Sequence, residues 1–471
     1  MKKTKIVATL GPATCGYAVI RELMESGVNV FRLNFSHGDA AFFTGAIASI
    51  NRARISTGLS AAILQDLQGP KIRVEKFEGK IQVKKGEILT IKDKMIKTSG
   101  VEKHIAVDYP GLYKYLKPGR KILINDGLVQ LMVKEIRAHD ILCAVTAGGD
   151  IEPRKGVNLP GANLPLSSIT KKDRRDLIFG LKHGVDIISL SFVRSADDIK
   201  ELKRLIKGKN RPLIIAKIEK PEALGDIPAI LDESDGIMVA RGDLAVEAGF
   251  DRIPAIQKDL VKKANEKGKI VIVATQMLES MTNNPFPERA EITDVYNAVL
   301  DGADALMLSG ETSVGKYPVK TARVMADLIK KAEAEGSEVP GGPEVIKGRD
   351  IYKNAVSYAG AAMAKMIPSC EIAAKIADVS DVAYLSDYRP KKPVVACVTD
   401  RKLYQKLAIY HAIHPVLMKT ASETNAAEFV RKNIRGAGNL VFLDLNAVSG
   451  QSARISVMKI GMAPNKNIRE A

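Results

Sequence analysis

The sequence predicts an α/β protein: a closed parallel barrel carrying an inserted all-β lid, followed by a separate α/β domain. Three observations predict it. Short β-rich apolar runs recur over the first two thirds of the chain, each followed by a polar turn and a stretch of helical length. One interval between runs alternates with a strand period instead. A Gly-, Pro- and Glu-rich segment, "EAEGSEVPGGPEVIKG" (332–348), then separates the last unit from the remainder and reads as a linker.

Taken in order, the runs are "KIVATL" (5–10), "VNVFRLN" (28–34), "AAILQDL" (61–67), "DIISLSF" (186–192), "LIIAKIE" (213–219), "GIMVAR" (236–241), "IVIVAT" (270–275) and "DALMLS" (304–309). Helical stretches follow them, such as "SADDIKELKRLI", with Ser195 placed to cap it and acids in its first turn. Strands alternating with helices imply right-handed βαβ units, and eight of them close a TIM (β/α)8 barrel. An open doubly wound sheet is the other arrangement this rhythm allows.

After the third run, residues 72–158 alternate as "KIQVKKGEILTIKD" and "RKILINDGLVQLMVKEI", with "KKG" and "NDG" supplying hairpin turns. This is an inserted β lid on the face where barrel active sites lie. The boundaries are then 1–71 and 159–335 for the barrel, 72–158 for the lid and 336–471 for the C-terminal domain. That last part reads as a helix, "YKNAVSYAGAAMAKMI", with strands "KPVVACVTD", "NLVFLDL" and "RISVMKI".

Composition narrows the function. The chain has 471 residues, 46% hydrophobic and 27% charged, as in ordinary soluble proteins. No apolar run approaches the ~20 residues of a membrane span. The opening "MKKTKIVATLG" breaks at Gly11-Pro12, too early for a signal peptide. Cys15, Cys143, Cys370 and Cys397 stand far apart, which suits reduced thiols in the cytoplasm. A net charge of +17 would suit a nucleic-acid partner, yet the cations are interleaved with acids and there is no Trp. A solvated basic surface accounts for the charge, with no nucleic acid and no membrane as partner.

Residues at strand C-termini converge in a barrel. Here they are Arg32, Asn34, Ser36 and His37; Asp66, with Arg73 beyond; Lys217 and Glu219; Arg241 and Asp243; and Thr275. Lys217 lies between Ala216 and Ile218, so alternation turns it away from Ile218 and into the barrel or its mouth. Two carboxylates from adjacent strands suit Mg²⁺, which keeps several waters. The surrounding Arg and Lys suit phosphate. Phosphoryl transfer is the chemistry these groups fit. Asp243 could equally be a helix cap and Glu219 a loop acid. "GETSVGKY" (310–317) nearly matches a phosphate-cradling loop, but Tyr317 replaces the hydroxyl that would hold a metal, so it reads as a turn at the site's edge.

Together, "TKIVATLGPAT", "GVNVFRLNFSHG", "RKGVNLPG", "DIISLSFVRSADDI", "IIAKIEKPEAL", "DGIMVARGDLAVE", "VATQMLESM" and "LMLSGETSVGKYPV" resemble the pyruvate kinase family over residues 3–330. The resemblance implies transfer of the phosphoryl group of phosphoenolpyruvate to ADP, giving pyruvate and ATP. It implies Mg²⁺ (or Mn²⁺) on Glu219 and Asp243, and Lys217 on the transferring group. Arg32 would bind phosphate, and the Gly242 amide and Thr275 hydroxyl the substrate carboxylate end, with Thr275 near the route that protonates the enolate. Arg73 and Lys155 would face the nucleotide phosphates beside Asn34 and His37. A homotetramer is also implied.

Two departures stand out. Most family members read "DTKGPEIR" and bind K⁺ through the counterparts of Asn34, Ser36, Asp66 and the Leu67 carbonyl. This chain reads "DLQGPKIR", so Lys71 reverses the local charge and is expected to replace the monovalent cation. The resemblance also ties sugar-phosphate activation to a Ser/Thr-rich loop. Here that region reads "ADVSDVAYLSDYRP" and the final loop "NAVSGQSARI", so fructose bisphosphate control is not expected. The competing readings are a Mg²⁺-dependent lyase or aldolase acting on phosphoenolpyruvate or pyruvate, and a basic RNA-binding scaffold without catalysis.

Overall fold

The computed structural model describes residues 1–94, 103–162, 164–208, 210–336, 350–445 and 453–460. Eight parallel strands close a barrel in sequence order: Lys5–Thr9, Val30–Asn34, Ala62–Asp66, Ile187–Leu190, Leu213–Ile218, Gly236–Ala240, Ile270–Ala274 and Ala305–Leu308. All eight expected runs are strands, and closure decides against the open sheet. Their β-branched side chains are buried on both faces because helices cover the outside. Ile6, Leu33, Ile63, Ile214 and Ile218 pack on those helices. Val7, Leu64, Ile215, Met238 and Met307 fill the interior. Ser195 caps the helix Ala196–Leu205, its N–H donating to Asp198 at 3.2 Å.

Between the third strand and the helix Lys171–Lys182, the described lid residues build a six-stranded sheet and a separate two-stranded one. "NDG" turns a hairpin as expected: Ile124 pairs with Val129, and Asn125, Asp126 and Gly127 all take positive φ. "KKG" does not. Ile81–Val83 pairs with Gly149–Ile151, and Ile88–Lys92 with Asp140–Ala147. The turn reverses the chain locally, but each strand finds its partner through packing, so the two arms enter different sheets. The lid leaves and rejoins the barrel at one place, where Arg73 bridges to Gly156 and Val157 N–H donates to Ile72 at 2.9 Å.

The expected linker is partly helical. Residues 332–335 complete the helix Pro318–Glu335, because "KKAEAE" continues its periodicity, and 337–349 lie outside the described residues. Beyond them, the helix Ile351–Met366 packs on a five-stranded sheet. Its order is Ile413–Leu417, Val394–Val398, Cys370–Lys375, Asn439–Asp444 and Arg454–Lys459. The first and third of these were not read from the sequence.

This sheet docks on the barrel floor, at the strand N-termini. Lys5 donates to the Ile413 carbonyl at 2.5 Å and Arg389 pairs with the buried Asp304 at 2.9 Å. Ala61 N–H donates to Gln405 at 2.9 Å. The barrel interior and this sheet thereby share one apolar cluster. No described helix is long and apolar enough to cross a membrane. All four cysteines are free.

Candidate active site

The barrel mouth opens into a cavity of about 480 Å³ lined by Arg32, Asn34, His37, Lys217, Glu219, Asp243 and Thr275, among others. Its floor is a buried charge network. Asp66, 1% exposed, receives Arg32 Nη2 at 2.6 Å and Nε at 2.8 Å on one oxygen. Its other oxygen accepts from Ser189 Oγ at 2.7 Å and faces Lys217 Nζ at 3.4 Å. Burial works against the Asp66 carboxylate, but Lys217 and Arg32 outweigh it and hold its pKa below the usual range. Burial likewise disfavours the Lys217 ammonium, and Asp66 and Glu219 overcome it, raising the pKa. Lys217 also donates to Ser191 Oγ at 2.7 Å. It turns away from Ile218 into the mouth, as alternation required.

Glu219 and Asp243 line the same cavity. Glu219, 2% exposed, accepts from Phe192 N–H at 2.7 Å and meets Lys217 at 3.0 Å. Burial raises its pKa; Lys217 pulls it down, and the charge of Asp243 adds to the rise. The two acids face one cavity, Glu219 beside Lys217 and Asp243 beside Lys71. Among the described residues no three His, Cys, Asp or Glu side chains cluster as a metal cage. A divalent ion here would rest on two carboxylates and draw its remaining oxygens from water or substrate, which suits Mg²⁺ or Mn²⁺. Asp243 is not the cap of its helix: Ala240 holds that place and Asp243 lies in the first turn of Arg241–Ala248.

Thr275 is strained, with φ of 73°. Its Oγ accepts from Gly242 N–H at 2.9 Å, so the two expected carboxylate donors bond each other. Arg241, expected in the mouth, turns outward. It pairs with Asp294 at 2.7 Å and donates to the Thr275 carbonyl at 2.6 Å, bracing the strained residue instead of facing substrate.

Lys71 is the other departure. Its Nζ lies 2.9 Å from Asp243 and 3.9 Å from Asp126 on the lid hairpin. Its salt-bridge partners are therefore not the oxygens expected to form the monovalent site. Those are engaged elsewhere: Asn34 Oδ1 accepts from Ser36 N–H at 3.1 Å, and the Leu67 carbonyl from Ser191 Oγ at 2.6 Å. Burial, with Arg73, Arg32 and Lys71 nearby, lowers the pKa of His37. Arg73 itself donates to the Arg154 carbonyl at 3.1 Å. Lys155 stays on the lid, paired with Glu152 at 3.1 Å, and is not among the residues lining the cavity.

Three residues were missed. Thr9 Oγ accepts from Arg32 at 3.0 Å, and Ser189 and Ser191 hold Asp66 and Lys217. The strand-end rule applied to the first and fourth strands would have found them. The "GETSVGKY" loop contributes Gly310, Ser313 and Val314 to the cavity edge, as expected of a turn there.

The pyruvate kinase barrel-domain family model matches residues 1–322. A pyruvate kinase 2 from Synechocystis sp. is 39% identical over 98% of this chain and 79% of its own length. A pyruvate kinase from Clostridium perfringens is 40% identical over 88% of each. One from Geobacillus stearothermophilus is 38% identical over 98% of this chain and 80% of its own. These matches cover the eight-stranded barrel and most of the rest of the chain. The chain belongs to the pyruvate kinase family.

Proposed function

We propose that this mouth transfers a phosphoryl group with Mg²⁺ (or Mn²⁺) held by Glu219 and Asp243, and without a requirement for K⁺. As a pyruvate kinase the chain is a phosphotransferase that converts phosphoenolpyruvate and ADP to pyruvate and ATP. The observation that carries the site assignment is the shared cavity of Glu219, Asp243, Lys217, Arg32 and Thr275. The ion would neutralise and orient the anionic substrate oxygens. Arg32 and Lys217 hold the phosphate and compensate its charge as it moves, and their fixed contacts with Asp66 mean little reorganisation accompanies transfer. Gly242 and Thr275 receive the substrate carboxylate, exchanging their mutual bond for it, and Thr275 lies beside the route that protonates the enolate. Arg73 and Lys155, with Asn34 and His37, meet the nucleotide phosphates once the lid closes. Family likeness also supports a homotetramer in the cytoplasm and the domain boundaries given above.

K⁺ independence is supported by two features: Lys71 already supplies a tethered cation at Asp243, and the candidate monovalent-site oxygens are engaged within the protein. A cation about 4 Å from an anion contributes up to ~4 kcal/mol at an effective dielectric near 20. Pyruvate formation assayed with Mg²⁺ and K⁺ varied independently tests both halves. We expect full activity in K⁺-free buffer and none without a divalent ion; strong activation by K⁺ defeats the Lys71 role. Mn²⁺ titration followed by electron paramagnetic resonance should show one site, lost in Glu219→Gln.

A further inference from the structure

Beside the active mouth, on the far side of Lys71, lies a second cavity of about 320 Å³. Its walls come from the two segments by which the lid leaves and rejoins the barrel, with Pro70 and Ile72 on one and Val157, Asn158, Leu159 and Ala162 on the other, and from the loops bearing Phe192 and Lys220. Its lining is mixed, apolar and polar surface in nearly equal shares, and its volume falls in the lower size range of small-molecule sites, roughly 300–1,000 Å³. One polar side chain in its wall has an unserved atom. Asn158 is 3% exposed, and its Nδ2 donates to Glu247 at 2.9 Å, which fixes the amide orientation. Its Oδ1 is buried with no hydrogen-bond partner. A buried acceptor left unmet is costly, so the cavity wants a donor.

The cations around it are already paired, and the one carboxylate in its lining, Glu222, is exposed to solvent at the rim. Lys220 pairs with Glu247 at 2.6 Å, Lys71 with Asp243, and Arg194 donates to the Leu164 and Leu166 carbonyls. An anion would therefore find no waiting cation. A lone water, which fills ~30 Å³, would leave most of the apolar wall empty. We propose that this cavity is a binding site for a small, neutral molecule with an apolar body and one N–H or O–H donor, held by Asn158 Oδ1.

Such a ligand would act on the enzyme through the lid. Glu247 lies on the helix that carries Asp243, and Lys220 directly follows Glu219, so Asn158 ties the returning lid strand to the elements bearing both acids. An occupant wedged between the lid strands and the barrel loops binds the lid positions unequally, and so shifts their populations.

Indole and 1-methylindole are matched probes, alike except for the donor. Titrated calorimetrically into the full chain, indole should bind at least tenfold more tightly than 1-methylindole. Asn158→Leu should erase that preference, and Ala162→Phe, which fills the cavity, should abolish binding of both. Saturating indole should change the KM for ADP at least twofold in the parent and not in Ala162→Phe. Equal affinity of the two probes, no binding, or a preference that survives Asn158→Leu overturns the site. Binding with unchanged KM overturns the effector role. The calorimetry does not depend on the catalytic assignments, so either reading can fail alone.

Discussion

Asp66 is where the two buried cations of the mouth meet. Arg32 approaches one of its oxygens and Lys217 the other, and Ser189 completes the set. The sequence shows an acid at the end of a strand, but not that cations from the second and fifth strands share it. That depends on barrel curvature, which brings distant strand ends together. Replacing Asp66 with Asn keeps the shape and removes the compensating charge, leaving Arg32 with no anionic partner. The expected cost is about 3 kcal/mol, since an unpaired buried charge is strongly unfavourable. Urea unfolding of Asp66→Asn measures it, and an unchanged midpoint contradicts the network. Lys71 was legible as an anomaly of charge, whereas its partner was not: reaching Asp243 depends on the path taken after Gly69, where φ is +68°.

Among the elements, strands were easier to read than the directions of their last side chains. All eight barrel strands were found because continuous β-branched runs survive burial on both faces. Arg241 was misplaced because it is the first residue of a helix and no longer obeys strand alternation. Its work is to hold the turn after the seventh strand, where both Thr275 and Gln276 have positive φ. Arg241→Leu should let that turn relax. A displacement of order 1 Å can cost about 10²-fold in rate, so kcat should fall by up to that factor, with stability down by about 1–3 kcal/mol. Steady-state kinetics alongside thermal melts separates the two, and an unaltered kcat rules out the bracing role. The "KKG" turn was misread for a related reason: a turn residue fixes a reversal, not which strand lies opposite. The final loop at 446–452, on which the effector expectation partly rests, lies outside the described residues.

In the whole molecule, the barrel and the C-terminal sheet are joined through the floor, and that junction carries a pH dependence. Burial lowers the His414 pKa from 6.5 to about 4, with Lys5 and the N-terminal ammonium adding to the effect. His411, also buried, is shifted in the same direction. Folding therefore favours the neutral imidazoles, while the unfolded chain takes up protons below about pH 6.5. Stability is fully present above that pH and is lost as pH falls toward 4, by on the order of 3 kcal/mol for His414. Unfolding free energies measured across this window should slope accordingly, and His414→Asn should flatten them. A slope unchanged by that variant assigns the effect elsewhere. None of this was visible in the sequence, where the histidines had no assignable partners.

The lid's departure and return side by side, with Arg73 facing Gly156, has a consequence for how the molecule can be taken apart. Because both cut ends already touch, residues 72–157 should be removable as a cassette and replaceable by a short Gly-Ser splice, without stretching the barrel wall. The trimmed protein should still melt cooperatively while making no pyruvate. If it collapses instead, the appendage was a foundation of the barrel and not a graft upon it.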